Sequence, residues 1–317
     1  MFGVTFDLHD AEQLRGDLRS FLGVETPAQA PSVEVLSSLE ADGYVLHKVR
    51  LVTDDDVIPS LLAVPLGEGP FPAVVVFHQH AGEWHLGKSE VFGLAGDPHQ
   101  AFGPALARAG FVVLAPDSIA FEDRRPGGPG TDPRTDDFVQ HYNALTYRLV
   151  AGDTLMRKVL QDAMVAVSAL LSRVDVIPES LVALGHSYGG NTTLFLTAVD
   201  NRVRLGCASG ALGSYQRKMS DGTGLEMAEV IPGFTTRFDM GHLLLAIAPR
   251  PFLVISGTDD KYAADAQDLV DTVLAANGGS DDGPTLAHLQ TSGGHALDAE
   301  RFEGIISWII RSATRSK

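Results

Sequence analysis

The stretch Gly185-His186-Ser187-Tyr188-Gly189 decides the fold of this chain. It has the pattern Gly-x-Ser-x-Gly, it follows a short apolar run, and a helix-like segment comes after it. A strand, a sharp turn that carries a serine, and a helix together form a nucleophile elbow. Glycine is needed on both sides because the serine of such a turn has a strained backbone, where neighbouring side chains would clash. The pattern predicts that Ser187 Oγ lies above the edge of a sheet.

Size and composition are those of an ordinary globular enzyme. The chain has 317 residues, of which 44% are hydrophobic and 20% are charged, and this suits one large α/β domain. The formal net charge of −16 argues against nucleic acid or an anionic membrane as a partner, because both need a basic face. The single cysteine, Cys207, lies in an apolar run and is predicted to be a buried core residue.

The N-terminal segment lacks the basic region and apolar core of a signal peptide. Nor does any apolar run approach the length of a membrane span. We therefore expect a cytoplasmic protein.

Strand-like and helix-like segments alternate along most of the chain. Two continuous apolar runs, Ala73–Phe77 and Phe111–Ala115, are typical of strands buried on both faces. This alternation predicts an α/β fold with a mainly parallel central sheet and helices on both faces. We expect a single domain over residues 1–317, with an N-terminal helical extension over about residues 1–40 that contains a short amphipathic helix at Ala11–Leu22.

Three long segments interrupt the alternation, at residues 84–100, 121–148 and 214–242. They are polar and rich in glycine, and each follows a strand at the expected C-terminal edge of the sheet. Open α/β folds bind their ligands at that edge, and long loops in compact domains are often functional. The sequence therefore predicts long loops over the active site.

A serine hydroxyl becomes a nucleophile when a base contacts it and a third group orients that base. After a nucleophile elbow the expected chain order is serine, acid, histidine. Asp259 and Asp260 follow one late strand, and His295 follows the next strand in a glycine-rich loop. The order predicts Ser187 as nucleophile and His295 as base, and it leaves the choice between the two aspartates open.

The oxyanion formed during acyl transfer needs two hydrogen-bond donors in place. One is expected to be the backbone N–H of Tyr188, the residue after the nucleophile. The second is expected from the loop after the strand Ala73–Phe77, where the N–H of Gln79 or His80 is the candidate.

The same loop allows a metal-dependent interpretation. His78 and His80 form a His-x-His pair, with His85 and His99 nearby, and such a cluster could ligate zinc in a metal-dependent hydrolase. That interpretation leaves the elbow and the late aspartate and histidine unexplained. We therefore predict neither a metal nor a cofactor.

These motifs resemble the α/β-hydrolase superfamily and, within it, the dienelactone-hydrolase and acetyl-xylan-esterase-like branch. The resemblance covers roughly residues 46–308. Its marks are motifs distributed along the chain: His78-x-His80, the segment 110–117, the elbow at 185–190, the segment 248–251, Gly257-x-x-Asp260 and Gly294-His295. The Gly-x-x-Asp pattern of the family favours Asp260 as the acid, and the family's oxyanion donor corresponds best to His80.

Two departures from the family bear on the substrate. Many relatives have His-Gly after the oxyanion strand, whereas this chain has His78-Gln79. Dienelactone hydrolases proper use a cysteine nucleophile, and Ser187 stands in its place. The serine favours carboxylic esters as substrates.

The resemblance implies a serine hydrolase that cleaves small-molecule carboxylic esters through an acyl-enzyme, as a carboxylesterase or deacetylase. A peptidase or amidase on the same fold is an alternative, but it would need a site for a charged peptide terminus, and no sequence feature predicts one. A non-catalytic binding protein is a third hypothesis, and the complete serine, acid, histidine order argues against it. The sequence leaves the oligomeric state open, with a homodimer as one compatible state.

Overall fold

The computed structural model describes residues 11–276 and 286–315. The strands are β1 (Ser32–Ala41), β2 (Tyr44–Val52), β3 (Val57–Pro65), β4 (Ala73–Phe77), β5 (Val112–Pro116), β6 (Val182–His186), β7 (Leu205–Ser209), β8 (Phe252–Gly257) and β9 (Leu286–Thr291). The helices are α1 (Ala11–Leu22), α2 (Lys88–Val91), α3 (Phe102–Arg108), α4 (Asp137–Val150), α5 (Leu155–Leu171), α6 (Tyr188–Val199), α7 (Tyr215–Ser220), α8 (Met240–Ile247), α9 (Ala266–Ala276) and α10 (Ala299–Arg315).

The strands form one nine-stranded sheet in the order β1-β2-β3-β5-β4-β6-β7-β8-β9. The pairs β1–β2, β2–β3 and β3–β5 are antiparallel. All the remaining neighbours, from β5 through β4 to β9, are parallel. Six strands therefore end at the same edge of the sheet, and the predicted mainly parallel sheet is confirmed.

Helices cover both faces of this sheet. The side chains of β4 alternate between two apolar clusters, with Ala73, Val75 and Phe77 in one and Val74 and Val76 in the other. Helices α1, α5, α6, α8 and α9 contribute to the first cluster. Helices α3 and α10 contribute to the second. This two-sided burial is the reason why the parallel strands are apolar without interruption.

Two features differ from the sequence-based expectation. Strand β1 occupies the end of the segment expected to be a helical extension, from Ser32 onward, while residues 1–10 of that segment lie outside the described part of the chain. Ala41 and Tyr44 pair across a two-residue hairpin loop, where Gly43 has a φ of +87°. A short Asp-Gly loop between two strand-like runs is a hairpin signal, so β1 could have been recognised from residues 42–43.

The second difference lies in the segments expected to be loops. The segment 121–148 contains most of α4, and the segment 214–242 contains α7 and the start of α8. The Cys207 side chain is buried, as predicted. Among the helices of residues 11–276 and 286–315, none is both long and apolar enough to cross a bilayer.

Candidate active site

Ser187 lies in a sharp turn between β6 and α6. Its backbone has φ 55° and ψ −117°, in the region that side-chain-bearing residues rarely adopt. The Ser187 N–H donates to the carbonyl oxygen of Ser209 on the neighbouring strand β7, over 2.8 Å. A methyl group on Gly185 would overlap the backbone of Gly189. The two glycines are therefore required by the close return of the chain, as the pattern predicts.

Three of the residues predicted for the site meet in one line of hydrogen bonds. The Nε2 atom of His295 lies 2.8 Å from Ser187 Oγ. On the other side of the ring, Nδ1 lies 3.0 and 3.1 Å from the two carboxylate oxygens of Asp260. Asp260 is 2% exposed, whereas Asp259 is exposed and accepts a bond from the Thr258 hydroxyl. The geometry therefore brings Asp260, and not Asp259, to the histidine.

The Asp260 carboxylate has the charge that this arrangement needs. Burial by itself would raise its pKa, but the hydrogen bond and the charge of His295 outweigh burial, so the pKa lies below its ordinary value. An ionised Asp260 accepts a hydrogen bond from the N–H at His295 Nδ1 and fixes that tautomer. Nε2 is then left without a proton and can accept one from the Ser187 hydroxyl.

Arg301 stabilises the loop that carries His295, although no sequence motif predicted a role for it. Arg301 is fully buried and donates to the carbonyl oxygens of Gly294, over 2.6 Å, and His295, over 3.3 Å. It also donates to the Thr291 hydroxyl over 2.7 Å. In the sequence Arg301 is one charged residue among several in α10, so no local signal distinguishes it from a solvated arginine.

The two predicted oxyanion residues lie in the same pocket as Ser187 and His295. This pocket has a volume of about 380 Å³, and both Tyr188 and His80 line it. A methyl group on Gly189 would overlap the carbonyl oxygen of Phe77 at the end of β4. The first turn of α6 therefore packs against the strand end from which the loop with His80 departs.

The His80 side chain is neutral and belongs to the pocket wall. Its Nδ1 accepts the N–H of Gly82 over 2.9 Å, so the ring proton lies on Nε2. Burial, and after it the charge of His78, lower the pKa of His80 to about 4.

His78 does not have a free ring nitrogen for a metal ion. Its Nδ1 donates to the Gln79 carbonyl oxygen over 2.9 Å, and its Nε2 accepts the Ser118 N–H over 3.1 Å. His78 is buried, and burial lowers its pKa to about 4. His99 is half-exposed and pairs with Asp97. The cluster proposed for the metal-dependent alternative is thus not assembled.

A different group, His80, His141 and Glu226, has donor atoms within 4.8 Å of one another. The tautomer of His80 does not suit a ligand, because the nitrogen left for a metal carries the proton. His80 and Glu226 line the pocket, whereas His141 is fully buried and is not a lining residue. Within the described part of the chain, the other group with this spacing is Asp117, Glu122 and Asp123, and the Lys88 ammonium already occupies its centre.

The walls of the pocket come from all three long segments. Trp84 belongs to the first, Phe138 of α4 to the second, and residues 218–229 to the third. In the third segment Lys218 and Glu229 form a buried ion pair of 2.7 Å. Glu226 also lines the pocket, and burial together with the charge of Glu229 raises its pKa to about 7. The pocket therefore combines an aromatic side with a charged side.

Comparisons with known proteins agree with this architecture. The family model of the dienelactone hydrolase family matches residues 58–220. The chain is 27% identical to "Putative hydrolase YtaP" of Bacillus subtilis (strain 168), over 83% of this chain and 86% of that protein.

Two examples represent the solved structures that are similar in fold. The structure of a "putative acetyl xylan esterase" from Bacteroides fragilis NCTC 9343 superimposes with a TM-score of 0.68 at 18% identity, over 89% of this chain and 74% of the other. A glucuronoyl esterase from Solibacter usitatus superimposes with a TM-score of 0.63 at 14% identity, over 94% of this chain and 91% of the other.

Proposed function

Because this chain belongs to the dienelactone hydrolase family of the α/β-hydrolase superfamily and is an ester-cleaving hydrolase, we propose that it is a serine carboxylesterase. Ser187 is the nucleophile, His295 the general base and Asp260 the residue that orients the base. The observation that carries this proposal is the continuous line from Ser187 Oγ through both His295 nitrogens to the buried Asp260 carboxylate.

The reaction has two steps. His295 Nε2 takes the hydroxyl proton as Ser187 Oγ attacks the ester carbonyl carbon, and the resulting imidazolium is stabilised by Asp260. His295 then returns that proton to the leaving alcohol oxygen, so the C–O bond breaks and an acyl-enzyme remains. In the second step His295 deprotonates a water molecule, which attacks the acyl carbon. The bond between the acyl carbon and Ser187 Oγ then breaks, His295 returns the proton to that oxygen, and the carboxylic acid is released with the serine hydroxyl restored.

The negative charge on the carbonyl oxygen is placed, in this proposal, between the backbone N–H groups of Tyr188 and His80. Two features support the assignment. Tyr188 is the first residue of α6, so its N–H lies at the positive end of a helix. Its side chain is anchored by a 2.6 Å hydrogen bond between the phenolic oxygen and Ser118 Oγ. Such preorganised donors stabilise the tetrahedral intermediate without reorganising during the reaction.

The substrate class is a small carboxylic ester, and acetyl esters are the first to test. The pocket of about 380 Å³ is within the usual range for a small-molecule site. The names of the two solved relatives describe esterases, one of them for acetyl xylan. A cytoplasmic location, the absence of nucleic-acid and membrane partners, and the absence of a cofactor stay predictions of the sequence.

The proposal is tested by replacing Ser187 with Ala and measuring turnover of p-nitrophenyl acetate. We expect turnover to fall to the background rate while the melting temperature is retained, since the change removes one oxygen atom. A fluorophosphonate should label the wild type and not the variant. Ser172→Ala, at an exposed serine that directly follows α5, is the matched control. Wild-type turnover in Ser187→Ala would refute the proposal, and loss of wild-type activity with a chelator would favour the metal-dependent alternative.

A matched pair of substrates separates the esterase from the amidase alternative. We expect the wild type to hydrolyse an acetyl ester much faster than an aminoacyl amide with a matched leaving group, p-nitrophenol against p-nitroaniline, because Lys218, the cation among the described residues of the pocket wall, is not free to bind a peptide carboxylate. The Lys218 ammonium is already paired with Glu229. Comparable rates on the two substrates would instead favour a peptidase or amidase.

A further inference from the structure

Two aromatic side chains of α4 are exposed at the mouth of the pocket. Phe138 is 50% exposed and Tyr142 is 48% exposed, although large aromatic side chains are ordinarily well buried. They lie on successive turns and stack with ring centroids 6.3 Å apart and planes 20° apart. Phe138 also contacts Trp84 edge-on, at 5.5 Å between centroids. We call Trp84, Phe138 and Tyr142 the aromatic shelf.

The shelf is continuous with the proposed catalytic site. Trp84 and Phe138 line the same pocket as Ser187 and His295, and Tyr142, which is not a lining residue, continues the row by stacking on Phe138. An exposed apolar patch that is joined to a binding pocket typically marks a ligand groove. A ligand with its reacting group at Ser187 would therefore carry its distal part along these rings.

The shelf is presented on a rigid support. A neighbouring face of α4 is buried through Asp137, His141 and Leu145. At its start, Arg125 Nη1 lies 2.8 Å from each carboxylate oxygen of Asp137, and both side chains are almost fully buried. Ordering the helix therefore adds little to the cost of ligand binding, because the rings are already in place.

On these grounds we propose that the aromatic shelf binds the face of a six-membered ring that the ester substrate carries beyond its scissile bond. The proposal rests on the proposed esterase function and names the substrate class more narrowly. A ring face with C–H groups or π electrons stacks on aromatic side chains. Such a face is shared by aryl groups and by pyranose sugars, and the two sources differ in the polar groups at the ring edge.

The test measures selectivity between ring-bearing and acyclic acetate esters by titrating the acid released. One pair is benzyl acetate and butyl acetate, and a second pair is an acetylated methyl pyranoside and an acetylated linear polyol. For each pair the readout is the ratio of the two kcat/KM values. We expect the wild type to prefer the ring-bearing ester in one pair, and that pair identifies the ring as aryl or pyranose.

The variants Phe138→Ala and Tyr142→Ala should each lower this ratio by about three- to tenfold, the range of a single aromatic contact. The change should lie mainly in KM, because the shelf contacts the substrate away from the reacting atoms. Phe138→Tyr and Tyr142→Phe keep the rings and should keep the ratio. Tyr147→Ala is the matched control, since Tyr147 lies on the same helix, is 69% exposed and is not part of the shelf.

The outcomes separate this inference from the proposed function. An unchanged ratio in the alanine variants, or a wild type without a ring preference in either pair, would overturn the shelf. Loss of the ratio in Tyr147→Ala as well would also overturn it, because the effect would then belong to the helix and not to the rings. Retained hydrolysis in Ser187→Ala would refute the serine mechanism. The shelf would still be tested separately, by whether the alanine variants at Phe138 and Tyr142 lower the ring preference.

Discussion

Replacement of Asp260 by Asn is the sharpest perturbation of the proposed site. The amide has nearly the same size and shape as the carboxylate, so the buried position remains filled. What changes is the charge, together with the proton acceptor for His295 Nδ1 at 3.0 and 3.1 Å. Asn can also present its NH₂ group to the ring, which favours the tautomer with the proton on Nε2. His295 would then be unable to accept the proton of Ser187.

The expected loss follows from the geometry. His295 becomes an imidazolium in the transition state, with its charge about 4 Å from that of the carboxylate. At an effective dielectric constant of about 20, this separation corresponds to about 4 kcal/mol, or about a thousandfold in kcat. The wrong tautomer adds to this loss, so we expect kcat to fall by about 10³–10⁴-fold.

The assay is kcat on p-nitrophenyl acetate, with thermal melting measured in parallel. Asp259→Asn is the matched control, because Asp259 is adjacent in the chain but exposed, and its kcat should stay within about twofold of the wild type because surface substitutions are usually mild. A folded Asp260→Asn protein with less than a tenfold loss would refute the orienting role of this carboxylate. Equal losses in both variants would show that the adjacent acids act in the same way.

Two more predictions concern the elbow and the pocket wall. Gly189→Ala places a methyl group on the end of β4 and should lower the free energy of unfolding by about 1–3 kcal/mol in a denaturant titration. The control Gly224→Ala has open space around it and should melt like the wild type, so equal stability of the two variants would contradict the close packing. The raised pKa of Glu226, about 7, makes its side chain neutral below pH 7 and negative above. As pH rises through 7, kcat/KM for an ester with a distal carboxylate should therefore fall about tenfold relative to kcat/KM for a neutral ester. In Glu226→Gln the ratio of these two kcat/KM values should not depend on pH. A pH-dependent ratio in the variant would assign the effect to another group.

Much of the fold was predictable because its signals are local. Continuous apolar strands, helical periodicity and the Gly-x-Ser-x-Gly turn each depend on residues close in sequence. The predicted helix at Ala11–Leu22 has the same bounds in the structure. Helix α4 was not predicted, because its polar and aromatic composition resembles that of a loop. Its first residue, Asp137, is held by a buried ion pair with Arg125, which the composition of the segment does not reveal.

The sequence by itself determined the order of the catalytic candidates, since Ser187, Asp260 and His295 each follow a strand of a parallel sheet and such strands end at one edge. It determined the strained turn as well, because only glycine tolerates the close return at positions 185 and 189.

Tertiary structure decided which of two adjacent aspartates in the loop after β8 faces the histidine. Asp260 is buried beside the histidine, whereas Asp259, one residue earlier, is exposed to solvent. Tertiary structure also decided that His78 uses both ring nitrogens in hydrogen bonds and that Trp84 meets Phe138. These outcomes depend on where side chains point after the chain has packed, and the spacing of residues does not by itself fix that direction. For Asp260, the resemblance to the Gly-x-x-Asp pattern of the family favoured the same choice.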